Sequence, residues 1–408
     1  MISPSIKEYN LPTESLNFIQ KDQIKNFEDQ FGSSKKSKNI KINYTPKEYT
    51  VNDKVESVIE SKTQAISFFS GAGGLDIGSQ LAGVKVISSL DFDFDSVATM
   101  RTNKYFSHTT HLHQDILETT AASYKKIIAD NNPEQLILIG GPPCQPFSKA
   151  GYWVTHKNRL GSDDPRNMIN QYLRIIEELT PNGFILENVE SILHPKNKNA
   201  VSSLKESIDK LGYNFIAYKA NALDFGVPQK RKRIFFLASK KPMKSSPLQT
   251  HGNEKELIIN NQLHPYERVI DWIGKFDTTQ YFEDEELTTG KTYNDALKQI
   301  PPGKNYFSLT TRDGHLNPMF VANKRFWNFL LKLHPSLPSW TIAAQPGPWV
   351  GPFHWNNRRL RVPEIAAIQT FPDDYNFVGS RRSVQKQIGN AVPSLLGEAM
   401  IKHLISNI

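Results

Sequence analysis

From residue 64 the chain alternates short apolar runs with amphipathic stretches, the layout of strands followed by helices. AISFF at 65–69 is apolar throughout and stops at a glycine-rich turn over 70–74, after which LDIGSQLAG reads as a helix closed by Gly83. VKVISSL at 84–90, LILIGG at 136–141, GFILENV at 183–189, YNFIAYKANA at 213–222 and RIFFLAS at 233–239 predict further strands. Between them Ile169, Tyr172, Leu173, Ile176 and Leu179 share one helical face, as do Val201, Leu204, Ile208 and Leu211, with Gly212 placed as a C-terminal cap. Strands alternating with helices imply a sheet covered on both faces. The expected fold class is α/β, a doubly wound, mostly parallel sheet of Rossmann-like type, with ligands at the carboxyl ends of the strands.

This rhythm is missing at two places. Residues 1–62 carry mixed charge, including KKSK at 35–38, and a short helix is predicted over 13–31. They read as a solvated extension, with a regulatory DNA-binding arm as the alternative. Residues 242–345 are irregular and rich in Pro, Thr, Asn and aromatics, among them Trp272, Tyr281, Phe282, Tyr306, Phe307, Trp327 and Trp340. Most of these rings read as the core of a second, smaller domain. Regular structure resumes near Arg358, and 392–405 reads as a final helix. The predicted organisation is an extension at 1–62, the first part of a large domain at 63–241, an inserted smaller domain at 242–345, and a return to the large domain at 346–408.

Composition narrows the function. With 49 Lys+Arg against 41 Asp+Glu the formal charge is +8, which favours a polyanionic partner. No apolar run reaches the roughly 18 residues of a membrane span, and MISPSIKEYNLPTESLNF lacks the charged-then-apolar layout of a signal peptide, so a cytoplasmic protein is expected. Cys144 is the single cysteine, which excludes an internal disulfide framework and a cysteine-rich zinc site; no metal is expected.

Two segments carry candidate chemistry. Phe69-Ser70-Gly71-Ala72-Gly73-Gly74 joins a strand to a helix, where glycines permit a sharp turn and close approach of a ligand. The dinucleotide pattern would need a third glycine where Asp76 stands, which argues against a nicotinamide-dependent oxidoreductase. Asp91 ends the next strand about 20 residues on, placed to take ribose hydroxyls, and Phe92 can pack on an adenine. An adenosine cofactor without a pyrophosphate fits better than NAD and points to S-adenosylmethionine, although such a turn can also be no more than a turn. The second segment is Gly140-Gly141-Pro142-Pro143-Cys144-Gln145-Pro146-Phe147-Ser148. Most isolated cysteines are packing residues, but three prolines here hold one thiol on a stiff loop at a strand end, as nucleophilic catalysis requires.

These motifs and their order resemble the DNA (cytosine-5)-methyltransferase family of bacterial restriction–modification systems. FSGAGG at 69–74 resembles its cofactor turn, with Phe69, Gly71, Gly73 and Gly74, and Asp91–Phe92 its ribose and adenine pair. Gln114-Asp115-Ile116 resembles the segment at the adenine edge, GPPCQPFS at 141–148 the nucleophile loop, and Glu187-Asn188-Val189 the ENV motif. Gln229-Lys230-Arg231-Lys232-Arg233 resembles QKRxR. Arg358-Arg359-Leu360 with Glu364, then Gln369-Thr370-Phe371-Pro372, resembles the segment bridging the domains. Gln387-Ile388-Gly389-Asn390-Ala391-Val392-Pro393 resembles the motif that returns to the cofactor. The likeness runs from about Phe68 to Ile405 and is weak through 242–335. From Asp164-Pro165-Arg166-Asn167 the spacing to Arg174 is a residue short, leaving Met168 and Ile169 as alternatives for an apolar cofactor contact.

The resemblance implies S-adenosylmethionine held by the residues above with Asp115, Ile116, Pro143, Asn390 and Ala391. It implies Cys144 adding to C6 of a flipped cytosine, Glu187 at N3 and the exocyclic amine, Arg233 at O2, and Arg231 on a phosphate or the catalytic loop. Alone, Glu187 would read as a surface or capping carboxylate, and the basic run as solvated. DNA contacts are expected from Gln229, Arg231, Ser148 and Thr341, with 242–345 as the target-recognition domain. The implied partner is double-stranded DNA, bound by a monomer that works beside a separately acting restriction endonuclease. A tRNA cytosine-5 methyltransferase is the alternative, since a related enzyme shares PPCQPF and ENV; a non-catalytic DNA-binding protein is a third reading.

Overall fold

The computed structural model describes residues 7–12, 39–51, 58, 60–143, 168–321 and 327–408. The helix expected over 13–31, the KKSK run, Cys144, Ser148 and Asp164–Asn167 lie outside the described residues.

Strands β1 (Lys7–Pro12) and β2 (Asn39–Tyr44) form an antiparallel ribbon. The large unit then runs β3 (Thr63–Phe68), α1 (Gly74–Leu81), β4 (Lys85–Asp91), α2 (Phe94–Thr102), β5 (Thr110–His113), α3 (Ala121–Asn131), β6 (Gln135–Gly140), α4 (Ile169–Leu179), β7 (Gly183–Val189), α5 (Lys198–Lys210), β8 (Asn214–Asn221), β9 (Gln229–Lys230) and β10 (Lys232–Ser239). Short helices follow at α6 (Glu254–Ile259), α7 (Val269–Ile273) and α8 (Asn294–Gln299), then α9 (Val362–Ile368), α10 (Arg381–Asn390) and α11 (Ser394–Ile405). Seven strands make one sheet in the order β5-β4-β3-β6-β7-β10-β8. The pairs from β5 to β7 are parallel, while β10 runs antiparallel to both its neighbours.

Alternation along each strand divides the core in two. Ile66, Phe68, Leu136, Leu138, Phe184, Leu186, Ile234 and Phe236 face α3, α4 and α5, packing with Tyr124, Tyr172, Ile176 and Ile208. Ala65, Ile137, Ile139, Ile185, Phe235 and Leu237 face α1 and α11, packing with Leu75, Leu396, Met400 and Leu404. The central strands are therefore apolar on both faces, the reason they read as unbroken runs in the sequence.

Packing in the rest of the chain divides it differently from the expected boundaries. A small cluster of Ala296, Leu297, Ile300, Tyr306, Leu309, Leu330 and Phe353 forms the core of the second unit. Val269, Ile270, Trp272, Ile273 and Phe276 instead join Ile77, Met100, Ile365 and Ile388 in a cluster shared with the large unit. Ile42, Tyr44 and Val51 belong to that same cluster, so this part of the expected extension is core rather than solvated. Its backbone is tied down as well: Lys47 N–H donates to the Asp271 carbonyl at 2.7 Å and Tyr49 N–H to Asp373 Oδ2 at 2.9 Å.

The bridge between units is a buried charge cluster. Arg358 grips Glu364 with two hydrogen bonds, at 2.6 and 2.8 Å, and reaches Asp277 at 2.8 Å. Ligating atoms of Asp277, His354 and Glu364 lie within 4.8 Å of one another, but the Arg358 guanidinium already bridges the two carboxylates.

Candidate functional site

The ends of β3, β4, β6 and β7 and the start of β10 meet at one rim of the sheet. Beyond β3 the backbone turns through left-handed conformations at Phe69 (φ 55°), Gly71 (φ 53°) and Gly73 (φ 78°). A Cβ on Gly73 would lie 2.2 Å from Met100 Sδ, and one on Gly74 2.3 Å from the Val392 carbonyl oxygen, so protein packing excludes side chains there. Gly71 is different: nothing lies within 4 Å of the place its Cβ would take. Its N–H donates to Asp91 Oδ2 at 2.7 Å, and the Asp93 N–H donates to Asp91 Oδ1 at 2.8 Å. Burial pushes the Asp91 carboxyl up, and the two amides oppose that. Phe92 follows with 73% of its surface exposed.

The other residues expected near a cofactor are distributed around this turn. Asp115 caps its own 3-10 turn by accepting from Leu117 N–H at 3.0 Å. Ile116 points its side chain into the core, and its carbonyl accepts from Arg174 Nη2 at 2.9 Å. Ile169 is likewise buried in that core, whereas Met168 is only partly buried. Ala391 abuts the glycine turn, 3.2 Å from where a Gly74 Cβ would stand, and Asn390 is exposed at the end of α10. The C-terminal motif thus returns to the turn. Tyr375 also supports it from below, donating from its hydroxyl to the Ala72 carbonyl at 2.7 Å, a role without any sequence signal.

The second half of the rim centres on Glu187. It and Arg233 lie diagonally across the antiparallel β7/β10 pair on one face, because Phe235 is opposite Glu187 and Arg233 opposite Val189. Arg233 Nε is 2.8 Å from Glu187 Oε1. Burial pushes the Glu187 carboxyl up, while Arg233 and then Arg231 pull it down. Glu187 Oε2 lies 3.0 Å from the place a Gly141 Cβ would take, so a side chain there would crowd the carboxylate. Asn188 Nδ2 donates to the Pro142 carbonyl at 3.3 Å, fixing the start of the proline loop. Pro143 is exposed and immediately precedes Cys144 in the sequence. The rim therefore presents a buried carboxyl paired with a guanidinium, beside the origin of the loop that carries the single thiol.

Two residues expected at DNA are inside the protein instead. Arg231 is fully buried and donates from Nη2 to the carbonyls of Gly389 at 2.8 Å and Ala391 at 3.0 Å, and from Nη1 to that of Ile342 at 3.4 Å. Gln229 is also fully buried; its Nε2 donates to Gln369 Oε1 at 2.8 Å and its Oε1 accepts from Ile342 N–H at 3.0 Å. Arg231 ties this segment to the C-terminal motif and Gln229 ties it to Gln369 and Ile342, so both side chains are taken up inside the protein. Thr341 is exposed, with its hydroxyl donating to the Lys230 carbonyl at 2.7 Å. Alternation explains the split: Lys230 and Lys232 point outward where Gln229 and Arg231 point in.

A family model described as C-5 cytosine-specific DNA methylase matches residues 63–406. The chain is 34% identical over 368 residues to the type II methyltransferase M.SacI of Streptomyces achromogenes, covering 84% of this chain and 93% of that one. It is 31% identical to M1.HphI, a type II methyltransferase of Haemophilus parahaemolyticus, over 83% of this chain and 86% of that protein. In fold it resembles the Entamoeba histolytica methyltransferase EhMeth, with a TM-score of 0.57 at 16% identity, covering 85% of this chain and 99% of that one. A DNMT2 variant from Spodoptera frugiperda aligns with a TM-score of 0.56 at 15% identity, covering 84% and 99% of the two chains. The chain belongs to the C-5 cytosine-specific DNA methylase family and is a DNA cytosine-5 methyltransferase.

Proposed function

We propose that this enzyme methylates one cytosine within a defined duplex DNA site, with S-adenosylmethionine as donor, and so protects host DNA from a separately acting restriction endonuclease. The type II relatives support the restriction–modification role. The observation that carries the chemistry is the buried Glu187–Arg233 pair abutting Gly141, at the root of the loop bearing Cys144. The enzyme acts as a cytoplasmic monomer.

The residues of the glycine turn fit an adenosyl group. Gly71 leaves open space at the rim, Asp91 offers a carboxylate beside it, and Phe92 offers an exposed ring. Asp91 would hold the ribose hydroxyls, Phe92 the adenine face, and Asn390 and Ala391 would close the site from the C-terminal motif. When bound, S-adenosylmethionine supplies an electrophilic methyl on a sulfonium.

C5 of cytosine is a weak nucleophile, and the remaining residues correct that. The target base leaves the stack to reach the rim, since none of these groups can enter a duplex. The Cys144 thiolate forms a bond to C6, and the displaced electron pair moves through the ring toward N3. Glu187 delivers its proton to N3 and accepts from the exocyclic amine, while Arg233 donates to O2. C5 then has enamine character and can take the methyl. Loss of the C5 proton to a base such as water and cleavage of the C6–S bond, with the N3 proton returning to Glu187, restore the neutral aromatic ring and free the thiolate. Arg233 has a second task, keeping the Glu187 proton transferable despite burial.

The test is nucleoside mass spectrometry after incubating unmethylated duplex DNA, and separately bulk tRNA, with the protein and S-adenosylmethionine. 5-Methylcytosine is expected in DNA alone and absent with Cys144→Ser. Modification of tRNA instead would overturn the substrate, and modification by the serine variant would overturn the nucleophile.

A further inference from the structure

Beside the rim stands an aromatic feature that this chemistry does not use. Trp327 is 58% exposed, an unusual setting for so large an apolar ring. It is not loosely held. Asn305, itself buried, donates from Nδ2 to the Trp327 carbonyl at 2.7 Å and anchors it to the small-unit core. The Trp340 ring packs edge-to-face against it, with centroids 6.1 Å apart at 68°. Trp340 is fixed in turn by parallel pairing with Lys230 of β9, whose ammonium lies 5.3 Å above the Trp340 ring. Three residues beyond Lys230, on the strand that continues from it, is Arg233 with its partner Glu187. Lys304, adjacent to the anchoring Asn305, is also exposed. Neither lysine has a carboxylate partner among the described residues.

An outward-facing indole anchored through Asn305 and Trp340, with the Lys230 ammonium over the Trp340 ring and exposed Lys304 next to Asn305 in the chain, suits a partner with flat apolar faces and dispersed negative charge. Unstacked nucleobases on a phosphate backbone have that chemistry, and aromatic platforms bind them through stacking that tolerates any base. Flipping a cytosine exposes such faces on its neighbours and on its unpaired partner. We propose that Trp327, backed by Trp340, stacks on a base exposed in the target DNA by flipping, and that Lys230 and Lys304 take the adjoining phosphates. The inference rests on the methyltransferase reading and adds a positioning residue for the open duplex. Base stacking of this kind raises affinity for the flipped state and adds little for a closed duplex.

The recognised site is first mapped by bisulfite sequencing of plasmid DNA treated with the protein, a step that succeeds or fails with the methyltransferase reading alone. Duplexes of that site are then made with 2-aminopurine beside or opposite the target, and Trp327→Ala and Trp327→Phe are compared with the wild type. Trp327→Ala should weaken binding of a duplex holding an abasic target by about 5- to 100-fold. It should abolish the 2-aminopurine change that accompanies binding, with S-adenosylmethionine affinity and melting temperature unchanged. Trp327→Phe should recover most of the loss. Wild-type-like affinity and 2-aminopurine response in Trp327→Ala would overturn the proposal. So would a fall in melting temperature or cofactor affinity of matching size, which would mark Trp327 as a packing residue.

Discussion

A carboxyl that gives a proton to a ring nitrogen must still hold that proton near neutral pH, and Glu187 is placed for this by burial against the opposing pull of Arg233. Glu187→Gln keeps the shape and can donate a hydrogen bond but has no proton to transfer. Its single-turnover methylation rate should fall by roughly 10²- to 10⁴-fold, with DNA affinity within a few-fold of wild type by fluorescence anisotropy. A second buried carboxyl, Asp76 in the first turn of α1, is fully enclosed with the Ser67 hydroxyl beside it. Burial drives its pKa up to about 7, opposed by the Ser67 hydroxyl and reinforced by Asp91. The native state therefore binds more protons than the unfolded chain between about pH 4 and 7, and linkage makes stability fall as pH rises through that window. Denaturant melts should show that fall, amounting to at most about 4 kcal/mol, and Asp76→Asn should remove it. The chemical residues were legible because Glu187 and Cys144 sit in motifs. Asp76 was legible only as a missing glycine, since its burial comes from the packing of α1 beneath Tyr375 and the C-terminal motif.

At the level of elements, the glycine turn and β9 show how neighbouring positions in one motif take different duties. Gly73→Ala would force a Cβ into Met100 and Phe106 as well as strain the backbone, so loss of folding is expected. Gly71→Ala strains the backbone alone, by about 1–3 kcal/mol, and fills the open rim. It should yield folded protein with a modestly lower melting temperature and at least tenfold weaker S-adenosylmethionine binding in calorimetry. Between β9 and β10, loss of the Arg231 side chain leaves the carbonyls of Gly389, Ala391 and Ile342 without this donor. Arg231→Leu should destabilise the protein by about 3 kcal/mol and leave the salt dependence of DNA binding unchanged, because no phosphate contact is lost. An altered salt slope would return Arg231 to the DNA surface. Basic runs look uniform in a sequence; the pleat separates Lys230 and Lys232 from Gln229 and Arg231.

For the whole molecule, the segment 39–51 is the clearest case of distant parts sharing one core. Ile42, Tyr44 and Val51 pack with helix α7 and helix α9, and Tyr49 reaches Ser394 at the start of α11. Removing residues 1–51 should expose this cluster and abolish soluble folding, whereas removing only residues 1–6 should leave melting and methylation as they are. Expression yield and thermal melting distinguish the two. The sequence by itself determined the α/β class, because central strands buried on both faces are predominantly apolar and helices between them must be amphipathic. It also showed the glycine turn and, through motif resemblance, marked Cys144 and Glu187 as candidate nucleophile and acid, because that chemistry needs particular atoms at strand ends. Tertiary structure decided which polar residues face solvent, since Arg231 is taken up by Gly389 and Ala391 and Gln229 by Gln369 and Ile342, all more than a hundred residues away. It also decided where one unit ends and the next begins, as with 39–51 and 269–276. Burial of those residues depends on surfaces brought together from remote parts of the chain, and local pattern carries no record of that meeting.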